Sequence, residues 1–369
     1  MTGPVSNRIL YCALLLLPLA AAASPGFPLH ENRVILDEDP GWAYAPVEID
    51  ARLQRAHEAG FNVYVVSVWH GGGSLYPGTD EVNDEKLRQR MARGWDPLEY
   101  AIRKAHELGM EIHPWFTVVK REDDRHPQFY ASGVPEGAYD VHNRAFREFI
   151  VATMLDIVRR YDIDGVNLDY IRSMGMCTSS ACAADYATRG GFDLRKDYAA
   201  AAATPAARAR IQAWLDEDVG EIVERFAQQS RSLKPRVIIS VDGYVEPRAD
   251  KRALEGRNEI DWLNRGWIDV IFHMDYRPQP QVEQIELGRA ALHDPDKLHV
   301  LLGNYERVGG RVVSRDADLL AANAALLQRL WPRAGVSVYL LSRLDAAQTA
   351  TLRAGPFKEQ ATPDWDRAP

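Results

Sequence analysis

The hydrophobic positions of this chain fall into eight short apolar runs separated by longer amphipathic segments. These segments repeat apolar residues at helical spacing, for example at Leu98, Ile102 and Ala105. Apolar runs that alternate with helices are typical of parallel strands whose sheet is covered on both faces. The runs are Val34–Leu36, Asn62–Val68, Met110–Phe116, Gly165–Tyr170, Val237–Val241, Ile268–Phe272, His299–Leu302 and Val336–Leu341.

Eight strand-and-helix units predict an α/β chain that closes into a single (β/α)8 TIM barrel. An open, doubly wound sheet is the alternative. It usually has fewer strands, and its dinucleotide-binding version carries a glycine-rich turn after the first strand. Here the first run is followed by Asp37, Glu38 and Asp39, whose charges would repel a pyrophosphate. The barrel is therefore the favoured prediction.

The N-terminus has the pattern of a targeting segment. Arg8 precedes an apolar run, Ile9–Leu19, and small residues at Ala21–Ala23 offer a cleavage site. The run is too short to span a bilayer comfortably. We therefore predict a secretory signal peptide over residues 1–23, a barrel domain over residues 24–369, and a secreted or periplasmic location. No stable membrane insertion is expected after cleavage.

Composition excludes one class of partner. Hydrophobic residues make up 46% of the chain and charged residues 26%, as in ordinary globular proteins. The net charge is -8, and no run of basic residues is present. Since nucleic-acid binding needs clustered Lys and Arg to neutralise phosphates, a nucleic-acid partner is not expected.

Two cysteines remain after the predicted cleavage site, Cys177 and Cys182. In an oxidising compartment this spacing favours a local disulfide. Zinc is the rival interpretation, but it would need two further ligands, and no His or Cys pair stands nearby at ligand spacing. We therefore expect a disulfide, no metal and no cofactor.

Polar and aromatic residues gather at or after the predicted strands. Barrel enzymes hold their active sites at the C-terminal ends of the strands, and acids combined with aromatic and amide side chains suit a carbohydrate site. We predict Asp169, Asp275 and Asp242 as catalytic carboxylates. The predicted substrate-binding residues are Trp69, His70, His113, Trp115, Tyr170, Arg172, Tyr276, Asn304, Tyr305 and Arg343.

The three acids receive different roles in this hypothesis. Asp169 ends a buried strand, so burial should favour its protonated form and let it act as a general acid. Asp275 is expected to face it from the sixth strand, and Asp242 is the third candidate. Asp275 could instead pair with Arg343 for stability alone. His113 lies within an apolar run, where a buried core histidine is as good an interpretation as a ligand-binding one.

A family resemblance is carried by the segments Gly60–Asn62 through Tyr76–Pro77, Trp95–Leu98, Ala105–Phe116, Val141–Asn143 and Asp164–Arg172. Together they resemble the glycoside-hydrolase-like family 10 proteins, over roughly residues 31 to 345. The resemblance implies a bacterial, exported TIM-barrel hydrolase that acts on a cell-envelope or other polysaccharide, and members of the group have been linked to peptidoglycan glycan strands.

The predicted strand Gly165–Tyr170 and the residue after it differ from the corresponding strand of better-known glycosidases. Family 18 chitinases end it in Asp-x-Glu, and the Glu position is Ile171 here. Asp169 matches the last Asp of that pattern, which keeps a substrate-assisted route open. A carbohydrate-binding barrel without hydrolytic activity is the alternative function. A metal-dependent deacetylase or amidohydrolase is a weaker third alternative for the function, because no strand ends in His-x-His.

Overall fold

A computed structural model describes residues 29–71, 73–78, 82, 84–190 and 192–365. Eight parallel strands close into a barrel in chain order, with the last strand paired to the first. This confirms the predicted TIM barrel and all eight predicted strands. The predicted signal peptide lies outside the described residues. The barrel strands are β1 (Arg33–Asp37), β2 (Val63–Trp69), β3 (Glu111–Thr117), β4 (Gly165–Asp169), β5 (Ile238–Gly243), β6 (Val270–Asp275), β7 (Leu298–Gly303) and β8 (Val336–Tyr339).

Helices surround the barrel, and at least one follows every strand. Several begin where an acid or amide side chain accepts a free backbone N–H, as Asp96 does from Glu99. Among the described residues, no helix is both long and apolar enough to cross a membrane. The helices are α1 (Pro46–Glu58), α2 (Glu85–Met91), α3 (Pro97–Glu107), α4 (Arg144–Arg160), α5 (Ser180–Gly190), α6 (Leu194–Ala200), α7 (Pro205–Leu233), α8 (Glu259–Asn264), α9 (Val282–Arg289), α10 (Ala317–Leu330) and α11 (Ala346–Ala354).

Two hydrophobic layers divide the side chains of every strand. The outer layer packs between the barrel and the helices, and it contains Val166 and Leu168 of β4. The inner layer fills the barrel, and it contains Val270 and Phe272 of β6. Because successive side chains point to opposite faces of a strand, this division decides which strand-end residues reach the barrel mouth.

Aromatic rings close the N-terminal end of the barrel. The Trp365 indole N–H donates to Glu111 (2.7 Å), and its ring stacks on His299 with centroids 5.7 Å apart. Complete burial lowers the pKa of His299 to about 3. His113 belongs to this end as well, with its ring 5.5 Å from that of Trp365 and no solvent exposure. His113 is therefore a core histidine far from the mouth.

The loop after β4 carries the predicted disulfide, which joins Cys177 and Cys182. Both cysteines are buried with Tyr186 and Trp214 in a small hydrophobic cluster beneath that loop. Asp140 lies 3.7 Å from the Cys182 sulfur. Sulfurs joined in a disulfide are not thiolates and do not ligate zinc, so the disulfide interpretation is confirmed.

Candidate active site

A cavity of about 200 Å³ opens at the C-terminal mouth of the barrel. It brings together acids, aromatic rings and bases that are far apart in the sequence. Most of the predicted site residues line it. The lining residues are Glu38, His70, Trp115, Thr117, Lys120, Asp169, Tyr170, Arg172, Asp242, Met274, Tyr276, Tyr305 and Tyr339.

A larger cavity, about 720 Å³, lies at the other end of the barrel, between α1, α3 and the C-terminal segment. Among its described lining residues Glu58 is the one carboxylate. That end of a TIM barrel serves stability rather than catalysis. The cavity at the mouth is therefore the candidate active site.

Asp169 and Asp242 form the acidic centre of the site. Leu168 of β4 pairs with Val241 of β5, so the two acids that follow stand level on neighbouring strands. The Asn167 amide lies one layer below and donates to Asp242 (3.0 Å). Burial raises the pKa of Asp169. Burial and then the Asp169 charge raise the pKa of Asp242 well above its usual value, so we expect the pair to keep a proton to a higher pH than an isolated aspartate does.

The residue after Asp169 has an unusual backbone. Tyr170 has a φ of +49°, a left-handed conformation that costs about 1–2 kcal/mol for a residue with a side chain. Its N–H donates to the Asp169 carboxylate (2.6 Å). Two cations lie near its ring centroid, Lys120 at 5.4 Å and Arg172 at 4.6 Å. This turn holds the Asp169 carboxylate in one orientation at the mouth.

The opposite wall consists of tyrosines. The Tyr276 ring stacks on Tyr339, with centroids 5.2 Å apart and planes at 23°. Tyr305 packs beside both, at 6.0 and 5.9 Å. The Tyr339 hydroxyl donates to the Glu38 carboxylate. Together these rings form an aromatic surface of the kind on which a flat sugar face can stack.

Bases line the side formed by the ends of β2, β3 and β4. His70 pairs with Glu122 through its Nδ1 atom (3.2 Å), and Lys120 contacts the same carboxylate. Arg172 lies 3.7 Å from Glu255. Within the described part of the chain, the buried Nε2 atom of His70 and the indole N–H of Trp115 have no hydrogen-bond partner. Two buried polar atoms of cavity-lining residues thus lack a hydrogen-bond partner among the described residues.

Asp275 is predicted to face Asp169, but the structure does not bring it to the cavity. Met274 is the residue of β6 that lines the mouth, so the next side chain points outward. The Asp275 carboxylate accepts from Arg277 (2.7 Å) and from the Gln281 backbone N–H (2.8 Å). Asp275 therefore fixes the loop after β6, and its ionic partner is Arg277 rather than Arg343.

Trp69 also points away from the mouth. The pairing of β2 with β3 shifts between Ser67 and Trp69, and the extra residue of such a bulge reverses the side-chain alternation. Trp69 consequently enters the outer layer, where its ring packs against Phe149 at 6.0 Å. The bulge turns the next residue, His70, into the cavity.

Asn304 and Arg343 are likewise outside the cavity lining. The Asn304 amide donates to the Leu340 carbonyl (3.0 Å) and to the Gln348 side chain (3.1 Å). It is buried and links the end of β7 to the turn after β8. The Arg343 carbonyl accepts from Ser314 (2.9 Å) in that same turn. Both residues support the loops behind the site.

Sequence reasoning missed five lining residues, namely Glu38, Thr117, Lys120, Met274 and Tyr339. Glu38 and Tyr339 lie at the ends of β1 and β8, and Lys120 follows β3. In the sequence Glu38 is one of three consecutive acids after the first apolar run. The structure places Leu36 in the inner layer, so strand alternation brings Glu38, two residues later, to the mouth.

One group away from the mouth has the composition of a metal site. His142, Asp185 and Asp218 lie close enough to share an ion. Asp218 is already bonded to Arg147 (3.1 Å) and Arg189 (3.0 Å), and these positive charges oppose a cation. We therefore interpret the group as an ionic link between α4, α5 and α7.

A model of the family described as Glycosyl hydrolase-like 10 matches residues 38–307. The glycosyl hydrolase YngK of Bacillus subtilis (strain 168) is 24% identical over 260 residues, which are 59% of this chain and 46% of YngK. The glycosyl hydrolase DigH of Escherichia coli (strain K12) is 21% identical over 267 residues, 62% of this chain and 57% of DigH. The chain thus matches about half the length of these curated relatives.

Solved structures share the fold. The glycoside hydrolase domain of PgaB (BpsB) from Bordetella bronchiseptica superposes with a TM-score of 0.62 and 13% sequence identity. The match covers 88% of this chain and 99% of that domain. At this level of identity the likeness shows a common barrel, and function has to be argued from the site itself.

Proposed function

Because the chain belongs to the glycosyl hydrolase-like 10 family, we propose that it hydrolyses O-glycosidic bonds in a polysaccharide by carboxylate acid/base catalysis. The Asp169–Asp242 pair is the observation that carries this proposal. Breaking a glycosidic bond requires a proton for the leaving oxygen, and a carboxyl group with a raised pKa can supply it near neutral pH.

Asp169 is the better placed of the two acids to deliver the proton. Its residue is 7% exposed, against 2% for Asp242, and its orientation is fixed by the Tyr170 N–H. Two carboxylates side by side on one wall cannot both ionise without repulsion, so they share a proton. In our proposal Asp169 transfers that proton to the leaving oxygen. Asp242, by sharing the proton, helps the pair to retain it until the transfer.

The walls of the cavity support a sugar polymer as the substrate. Tyr276, Tyr305 and Tyr339 offer stacking surfaces, while Arg172 and Lys120 offer donors to sugar oxygens. We propose a cell-envelope or peptidoglycan-type glycan as the substrate. The buried disulfide between Cys177 and Cys182 is compatible with the oxidising compartment in which such a glycan is found.

The test is the release of new reducing ends from a panel of purified glycans. Asp169→Asn keeps the shape of the side chain and removes the proton donor, so turnover should fall by about 10²-fold or more. Ligand binding should remain nearly unchanged, and the melting temperature should not fall.

Asp164→Asn is the matched control, since it makes the same chemical change outside the cavity. Its carboxylate accepts from the Ile112 N–H (3.0 Å) and contacts His106 (2.9 Å) at the start of β4. This variant should lose stability and keep the parental turnover per folded molecule. If the parent protein retains glycans on the panel without producing new ends, it is a carbohydrate-binding barrel and the proposal fails.

A further inference from the structure

Glu38 is the third carboxylate of the cavity, and it stands apart from the other two. It follows β1, whereas Asp169 and Asp242 end β4 and β5. We propose that Glu38 is the second catalytic carboxylate and activates the water that attacks the sugar. This inference rests on the proposed glycosidase function and assigns a residue to its other half-reaction.

The order of the strands places Glu38 across the mouth. In the closed barrel β1 and β5 are four strands apart in either direction, so they lie diametrically opposite each other. Glu38 therefore faces Asp242 over the cavity of about 200 Å³. A sugar bound between them would have one acidic group on each side, as glycoside hydrolysis requires.

Asp169 and Asp242 stand too close together to serve as the acid and the base of an inverting mechanism. They stand level on hydrogen-bonded neighbouring strands, which run about 4.8 Å apart. An inverting mechanism needs about 6.5–9.5 Å between its two carboxyl groups, because the attacking water has to fit between them. Among the described lining residues the carboxylates are Glu38, Asp169 and Asp242. If the pair acts as the proton donor, Glu38 is the acid left for the opposite face.

Neighbouring residues orient Glu38 and keep it accessible. Leu36 packs inside the barrel, while the intervening Asp37 points outward and pairs with Arg52 (2.8 Å). The Glu38 carboxylate accepts the Tyr339 hydroxyl, and the Tyr339 ring is held against Tyr276. Glu38 itself is partly exposed, so water can reach the oxygen that Tyr339 does not occupy.

In the proposed reaction, water cleaves one glycosidic bond. The bond between the anomeric carbon and the bridging oxygen breaks, and that oxygen takes the proton of the Asp169–Asp242 pair. Water forms the new bond to the anomeric carbon and gives its proton to the Glu38 carboxylate. The products are two hydroxyl-terminated sugars, and one proton then returns from Glu38 to the pair through solvent.

The decisive variant is Glu38→Gln, compared with Glu306→Gln as a matched control. Glu306 is an exposed residue after β7 that does not line the cavity. We expect Glu38→Gln to lower kcat by about 10²-fold or more, with KM changed far less, and to remove the acidic limb of the pH profile of kcat/KM. Glu38→Asp, which keeps a carboxylate, should retain that limb. Glu306→Gln should behave as the parent.

Azide adds an independent readout. It should restore turnover to Glu38→Gly by attacking the anomeric carbon, since it needs no base, and the product should be a glycosyl azide. If the parent protein releases no new ends, the proposed glycosidase function itself fails. If the parent is active and Asp169→Asn is not, while Glu38→Gln works at the parental rate, only the role of Glu38 is overturned. Loss of activity with an unchanged acidic limb and no azide product would also overturn it.

Discussion

Asp169 and Asp242 lie level on adjacent parallel strands with both side chains inside the barrel, supported from below by Asn167. Two buried acids at this distance cannot both be charged without a large electrostatic cost. The site therefore holds a proton at the barrel mouth. Holding it lowers the free energy of unfolding at pH values above the usual pKa of an aspartate.

This cost predicts a pH-dependent effect of Asp242→Asn. The pKa of Asp242 is raised in the folded protein, so the folded state holds a proton that the unfolded chain has lost above about pH 4. The free energy of unfolding should then fall as pH rises through that window, by at most about 1.4 kcal/mol per pH unit. Asp242→Asn should abolish this decrease of the free energy of unfolding with rising pH. Melting curves should show the variant more stable than the parent at pH 8, with the gain absent below pH 4.

Substitutions at two tryptophans on neighbouring strands should distinguish a role in ligand binding from a role in core packing. Trp115 lines the cavity and Trp69 lies in the outer layer. Trp115→Phe should raise KM, or the dissociation constant for an oligosaccharide, by about 10-fold, because it removes ring surface from the cavity wall. Trp69→Phe should instead lower stability by about 1–3 kcal/mol and leave KM unchanged. Isothermal titration and thermal melts measure both quantities, and equal effects of the two substitutions on KM would contradict the assignment.

The disulfide between Cys177 and Cys182 closes a very short loop. Chain-entropy arguments give a stabilisation of about 2 kcal/mol for a loop of this length. Replacing both cysteines with Ala should therefore lower the free energy of unfolding by about 2 kcal/mol. Thiol labelling of the unfolded but unreduced protein, purified from its native host, should find neither cysteine free, and two reactive thiols would contradict the pairing.

Export is predicted from the first residues of the chain. Arg8, Ile9–Leu19 and the small residues up to Ala23 are expected to direct secretion and cleavage. N-terminal sequencing of the protein purified from its native host should begin near Ser24. A mature protein that still begins at Met1 would show that the segment is not a cleaved signal.

The sequence alone was sufficient to predict the barrel. Strands that are buried on both faces must be continuously apolar, and the helices between them must be amphipathic. Runs such as Asn62–Val68 and Gly165–Tyr170 therefore mark the strands directly. The strand ends then place Asp169, Tyr170 and Arg172 at the mouth, because parallel strands have their carboxyl ends on one side.

The same physics explains why Asp275 and Trp69 were expected at the mouth and why Glu38 was missed. A strand that is apolar on both faces carries no pattern to show which of two consecutive residues points inward. Tertiary structure decided that Asp242 and Met274 line the cavity while Asp275 does not, since packing fixes the alternation of each strand.

A bulge in β2 turned Trp69 outward, and nothing in a run of valines and aromatics marks where a bulge falls. The number and order of the strands are local properties that a sequence records directly. The inward or outward direction of each side chain at the mouth arises only when the barrel closes and neighbouring strands fix one another's register.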